Sequence, residues 1–178
     1  LLLITDSPLS LFQVEYQQKK LQLSYSPNNV DIFVNLDQDA YCSTGTLINE
    51  NPFLKLFKDF EKSKLTVEFI ENSEINDAIM SLAMIDNLSK NNIYTAIDDV
   101  FNPQSMVSTA VVQLVNYIKL DKYVLSNQSD VNSMLLVESL ISYAHSAGGK
   151  IDDLDFARQL KVDYVQGFYY RKLFKNVS

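Results

Sequence analysis

Five short apolar runs in this chain each end on a polar side chain of a kind that does chemistry. Asn35 closes FVN, Glu71 follows VEFI, and Asp98 with Asp99 follows YTAI. Lys119 and Asp121 close YIKLD, and Gln166 closes DYVQ. Carboxylates and an amide form an oxygen-rich donor set suited to hard divalent cations such as Mg²⁺ or Mn²⁺, and a lysine beside them can neutralise an anionic substrate. Any one of these acids taken alone reads as a helix N-cap or a loop residue. A run of five such endings is harder to assign to coincidence. Glu68, Lys119 and Asp121 also sit within otherwise apolar stretches, where an unpaired charge is expensive.

The elements that must position these groups alternate along the chain. Strand-type runs cover Asp31–Leu36, Leu65–Ile70, Ile93–Ile97, Tyr117–Leu120 and Asp163–Phe168, with Leu1–Ile4 as the tail of another. They are β-branched, aromatic and mostly continuous in hydrophobicity, as buried parallel strands are. Between them the spacing predicts helices. Asn51-Pro52 opens one that buries Phe53, Leu56, Phe57 and Phe60. Ser73 caps a second, with Ile75, Ala78, Ile79, Leu82 and Ile85 on one face. A third carries Met106, Val107, Ala110, Val111, Leu114 and Val115. A fourth starts at Asp130, buries Met134, Val137, Leu140, Ile141 and Ala144, and stops at Gly148-Gly149. A fifth runs from Asp152 to Leu160, and Gln17-Gln18-Lys19-Lys20 reads as an exposed helix face.

Strand–helix alternation of this kind predicts an α/β fold with a parallel sheet, a TIM-like (β/α)8 barrel whose strand ends converge on one face. One interval breaks the pattern. Lys119 and Gln166 lie 47 residues apart, room for two βα units, yet only Gly149-Lys150-Ile151 separates two helices there. A strand is therefore expected to be missing, and the 178-residue chain is ~70 residues short of a typical barrel. The expectation is a single barrel domain over residues 1–178, with the N-terminal strand and one later strand lacking because segments are omitted from the sequence.

Composition narrows the class. Hydrophobic residues make up 47% and charged residues 21%, with no low-complexity stretch, as in a soluble globular domain. A net charge of -7 argues against a broad electrostatic grip on DNA, RNA or an anionic membrane. One cysteine and one histidine exclude an intrachain disulfide and a Cys/His zinc site. No apolar run is long enough for a signal peptide or membrane span, so a cytoplasmic, reducing location is expected.

The segments FVNLD, VEFIENS, AIDDVFNPQS, YIKLDKYVL, SYAHSAGGK and LKVDYVQGFYYRK resemble, in order, the motifs of the EAL domain, the family of cyclic di-GMP phosphodiesterases. The resemblance runs from about Asp31 to Lys172 and implies a barrel that hydrolyses cyclic di-GMP to linear pGpG with two divalent ions, Mg²⁺ or Mn²⁺. It implies that Asn35, Glu71 and Asp98 are metal ligands and that Asp99 serves the other metal. By the same resemblance Lys119 lies near the attacking water, Gln166 lines the guanine and phosphate pocket, and Asp121, which completes the Lys-x-Asp pattern, is expected to bind substrate with Gln166. A homodimer and a fused sensor or GGDEF-type domain are implied partners. The sequence departs from the family at three places. The Glu-Ala-Leu glutamate and the Glu-Gly-Val-Glu motif are not found, and Val100-Phe101-Asn102-Pro103 stands where Phe-Gly-x-Gly is expected.

Other readings remain at this stage. An EAL-like domain that binds cyclic di-GMP or a protein partner without turnover would tolerate the altered loop. Lys119 as a Schiff-base lysine would need a lowered pKa, which neighbouring carboxylates oppose. His145, near a helix end, reads as structural, and Cys42 as a passive thiol with no basic neighbour. The 10 Phe and 10 Tyr read mainly as packing, with base stacking open to Phe168–Tyr170.

Overall fold

A computed structural model describes residues 8–43, 50–70, 75–105, 108–147, 150–152 and 163. The architecture is α/β. Five strands lie in sequential order in one all-parallel sheet: β1 (Ile32–Asn35), β2 (Leu65–Ile70), β3 (Tyr94–Val100), β4 (Tyr117–Leu120) and β5 (Lys150–Asp152). Sequential parallel order without reversal is that of neighbouring staves in a TIM-like barrel, not of a doubly wound sheet. Seven helices are described: α1 (Pro8–Ser24), α2 (Gln38–Cys42), α3 (Pro52–Lys58), α4 (Ile75–Lys90), α5 (Thr109–Leu114), α6 (Tyr123–Ser126) and α7 (Val131–Ser146). Among the described residues no helix is long and apolar enough to cross a membrane.

Alternation along the strands divides their residues between two faces. Val34, Val67, Phe69, Ile97 and Ile118 are buried and pack with Leu54, Phe57, Met84, Ile85, Val111 and Ile141 from the helices. The other face carries Asn35, Glu68, Asp98 and Lys119. Local signals fix the helix starts. Asn51 Oδ1 accepts the Phe53 N–H at 3.0 Å ahead of Pro52, and Asp130 Oδ1 accepts the Asn132 and Ser133 N–H groups at 3.0 and 3.3 Å. Both caps stand where the sequence puts them.

Several expectations need correcting. The interval after Lys119 is not a helix–helix step, because β5 occupies Lys150–Asp152 and pairs parallel with β4. Three residues form too short an apolar run to register as a strand, and only the ladder with β4 reveals it. β3 runs three residues beyond Ile97 and takes Asp98 and Asp99 into the sheet. In α4 the buried stripe is Ser81, Met84, Ile85 and Leu88, and Ile79 is 66% exposed. Ser81 was uncounted as core because it is polar, yet its hydroxyl is satisfied by Gln38 Oε1. α5 begins only at Thr109, capped by Ser108, with Ala110 and Leu114 exposed. In α3 Leu54 is buried, while Leu56 and Phe60 are half-buried. Lys19 belongs to no exposed face: it is 3% exposed. Leu1–Ile4, the Ser73 cap, the helix Asp152–Leu160 beyond Asp152 (which itself ends β5), the strand Asp163–Phe168 and the aromatics Phe168–Tyr170 fall wholly or largely outside the described residues.

Candidate functional site

Register brings the site together. In parallel strands, paired residues share a face, and Asn35 pairs with Glu68, Ile70 with Asp98, and Lys119 with Asp152. All of these positions lie toward the C-terminal ends of their strands, the end where parallel α/β barrels place their chemistry. The Lys119 ammonium is held between two carboxylates, 2.7 Å from Asp98 Oδ2 and 2.9 Å from Glu68 Oε1. The side chains are 13%, 22% and 6% exposed for Lys119, Asp98 and Glu68, so solvent screens the cluster weakly.

Electrostatics follows from that packing. Burial pushes the Glu68 carboxyl up, and the Lys119 charge only partly opposes it. For Lys119 burial alone would lower the pKa, but the hydrogen bond to Asp98 and the Glu68 charge outweigh it and the pKa rises. The amine stays an ammonium at neutral pH, which removes the Schiff-base reading.

A bulge separates the two adjacent aspartates. Between Ile97 and Val100 β3 carries one residue more than β4, and Asp99 adopts φ 55°. Bulges re-aim side chains beside functional sites. Here Asp98 meets Lys119, while Asp99 is hydrogen-bonded to Asp121. Burial, together with the Asp98 and Asp121 charges, raises the Asp99 pKa. Asp121, 9% exposed, also accepts the Tyr123 N–H at 2.6 Å and faces Asn102 Nδ2 at 3.4 Å. Phe101 has φ 71° in the loop where the family resemblance expects glycine. A non-glycine side chain in that region carries backbone strain, and strain collects at functional sites.

These shifts predict a pH effect. An acid with a raised folded-state pKa favours the fold at low pH, and that contribution is lost as pH rises through the folded value. Asp99→Asn should therefore melt a few degrees above the unmodified protein at pH 8. Asparagine also tolerates the positive φ. The gap should close as pH falls toward the ordinary aspartate range. Thermal melts across pH check this, and a pH-independent gap would show that charge is not the cause.

An open polar cavity of about 830 Å³ lies over this cluster, lined by Asn35, Glu68 and Asp98 together with Glu15, Lys19 and Asp37. Asn35 is exposed into it at the end of β1. Glu71 and Gln166 lie outside the described residues. In the sequence Glu68 is a costly charge within an apolar run, while the family resemblance assigns the ligand role to Glu71. The signal that favours Glu68 is its place in the same alternation as Asn35, one strand across.

The donor set fits a hard cation in kind. Asn35, Glu68 and Asp98 offer only oxygen, and the buried Glu68 Oε1 accepts no well-aligned hydrogen bond among the described residues, its contact with Lys119 being ionic. Their present arrangement is drawn onto Lys119. Among the described residues no three His, Cys, Asp or Glu side chains converge on one point.

Away from the cavity, His145 Nε2 lies 3.2 Å from Asp163 Oδ2, an exposed pair. The half-buried Cys42 thiol is pushed up by burial and by Asp39 and Asp37, as befits an unreactive thiol.

Comparison with known proteins gives the same direction. No curated protein matches the sequence. Among solved structures, the chain is similar to the FimX EAL domain from Pseudomonas aeruginosa bound to c-di-GMP, with TM-score 0.65 and 16% identity over 90-odd per cent of this chain, 92%, and 70% of that one. It is similar to the PaMucR phosphodiesterase in its c-di-GMP complex, with TM-score 0.57 and 20% identity, covering 90% of this chain and 68% of that one. Klebsiella pneumoniae BlrP1, in a manganese and cy-diGMP complex, gives TM-score 0.60 and 16% identity over 88% of this chain. The chain spans 43% of that protein. At these identities the likeness establishes the fold. The EAL domain family model matches residues 9–172, nearly the whole sequence, and the chain belongs to the EAL domain family.

Proposed function

We propose that this chain hydrolyses one phosphodiester bond of cyclic di-GMP to give linear pGpG, as part of second-messenger signalling. The observation that carries the reading is the Glu68–Lys119–Asp98 cluster at the strand ends beneath a polar cavity. Asn35, Glu68 and Asp98 would hold one divalent ion, and Asp99 would serve a second. Mg²⁺ or Mn²⁺ in such a site supplies an activated water at neutral pH and stabilises charge on the phosphoryl oxygens. Lys119 fixes the two carboxylates and presents positive charge to an anionic diester. Burial and the neighbouring Asp98 and Asp121 charges raise the Asp99 pKa, a cost that a bound cation would relieve. Glu71 is the alternative ligand to Glu68 that the resemblance implies, and Gln166 keeps its implied place in the guanine and phosphate pocket.

A second reading, binding without turnover, draws on two features. β5 is three residues long and contains no glutamate, and Phe101 at φ 71° and Pro103 replace the expected loop glycines. Incubation with cyclic di-GMP and Mn²⁺, followed by chromatography of the nucleotides, separates the two. Appearance of pGpG that EDTA suppresses is the expected result. Calorimetric binding with no pGpG after prolonged incubation would select the sensor.

A further inference from the structure

Helix α1 places an unusual residue against the cavity. Phe12 and Tyr16 stack on each other at 5.6 Å and meet Phe53 edge-on at 5.5 and 5.6 Å, which anchors the helix to α3. The adjoining face carries Glu15, Gln18, Lys19 and Gln22 at i, i+3, i+4 and i+7, and all four line the cavity that holds Asn35, Glu68 and Asp98. Lys19 is 3% exposed, although a lysine at a helix surface ordinarily keeps its charge in water. Its ammonium lies 3.0 Å from Glu15 Oε1, and the same carboxylate oxygen accepts the Asp37 N–H at 3.2 Å. The pair ties α1 to the segment that leaves β1. Gln18 and Gln22 are exposed to the cavity, and neither amide is committed to a hydrogen bond among the described residues.

The charged residues of the remaining lining are all acidic, Asp37, Asp39, Glu68 and Asp98, and Lys19 is the one cation among the described lining residues. A dianionic cyclic dinucleotide entering such a cavity meets repulsion from these carboxylates, which Lys119 beneath them and Lys19 on the wall would offset. We infer that this face of α1 is a recognition wall for the nucleotide, in which Lys19 takes a phosphodiester oxygen and Gln18 and Gln22 hydrogen-bond a base edge. Glu15 then keeps its bond to the Asp37 N–H while Lys19 turns to the phosphate. An amide offers a donor and an acceptor on one rigid plane, which matches a purine edge. The inference rests on the cyclic di-GMP reading of the site and adds the residues that would hold the ligand apart from the reacting centre.

The test is calorimetric binding of cyclic di-GMP to the full chain, with Ca²⁺ present and no turnover required. Lys19→Met should weaken binding roughly 10- to 100-fold, the range for losing a charge-assisted hydrogen bond. Glu15→Gln combined with Lys19→Met avoids leaving a carboxylate unpaired and should show the same loss with the melting temperature preserved. Gln18→Ala with Gln22→Ala, both on exposed positions, should weaken binding several-fold without affecting the fold. If hydrolysis is measurable, these variants raise KM and leave kcat unchanged. Tight binding by the unmodified chain and equally tight binding by folded variants would overturn the wall and leave the cyclic di-GMP reading standing. No binding by the unmodified chain would overturn both.

Discussion

Lys119→Met should yield a protein that melts roughly 10 °C lower and forms no pGpG. The thermal loss follows from burial. Removing one partner of a buried ion pair costs about 3–5 kcal/mol, because the other charge is left without compensation, and each kcal/mol moves the midpoint of a domain this size by ~2–4 °C. Glu68 is that abandoned partner, with a side chain only 6% exposed and a carboxyl already pushed up by burial. Without Lys119 it rises further and takes a proton, so the destabilisation should be largest at high pH and should ease as pH falls. The double variant Lys119→Met, Glu68→Gln should recover much of the lost stability while remaining inactive. Recovery of hydrolysis in the double variant would refute a catalytic part for either residue.

Asp98→Ala should act the other way, with turnover lost and the fold kept. Asp98 is more exposed than Glu68, and its removal leaves Lys119 still paired with Glu68 at 2.9 Å, so no buried charge is orphaned. A group that contacts the reacting centre is worth about 10²–10³ in kcat, and loss of a cation ligand should reach at least that. The measurement is pGpG formation in Mn²⁺ beside a thermal melt of each variant. Undiminished turnover with Asp98→Ala would sink the site assignment. Glu68→Gln should lose turnover as well. A parallel Glu71→Gln variant that keeps full activity would leave Glu68 as the working glutamate.

The strands that matter were legible because hydrophobic runs carry their own signal. Leu65–Ile70 and Tyr117–Leu120 have the same bounds in the sequence reading and in the sheet. Helix starts at Asn51 and Asp130 were legible because a capping side chain acts within three residues. What escaped depends on contacts distant in sequence. β5 is a strand only because β4 offers it a ladder. Lys19 is buried because Phe12 and Tyr16 find Phe53, which no periodicity of α1 announces. For the candidate site, residue type singles out Asp98 and Lys119 in the sequence, and the sheet brings them within 2.7 Å of each other. Glu68 stands as a candidate beside Glu71 because it shares a face with Asn35, which is set by register across two strands.

The extra residue in β3 has a consequence for how the protein can change. The bulge begins after Ile97 and has closed by Val100, so the buried Ile97 and Val100 flank Asp99 on either side of the extra residue. Shortening the strand by that one residue would restore an even ladder, remove a left-handed backbone position and discard the second acid in a single step. Stability and chemistry are thus assigned to separate residues along one strand. A chain with a regular β3 would lose one acid at the strand end while keeping the polar cavity over it.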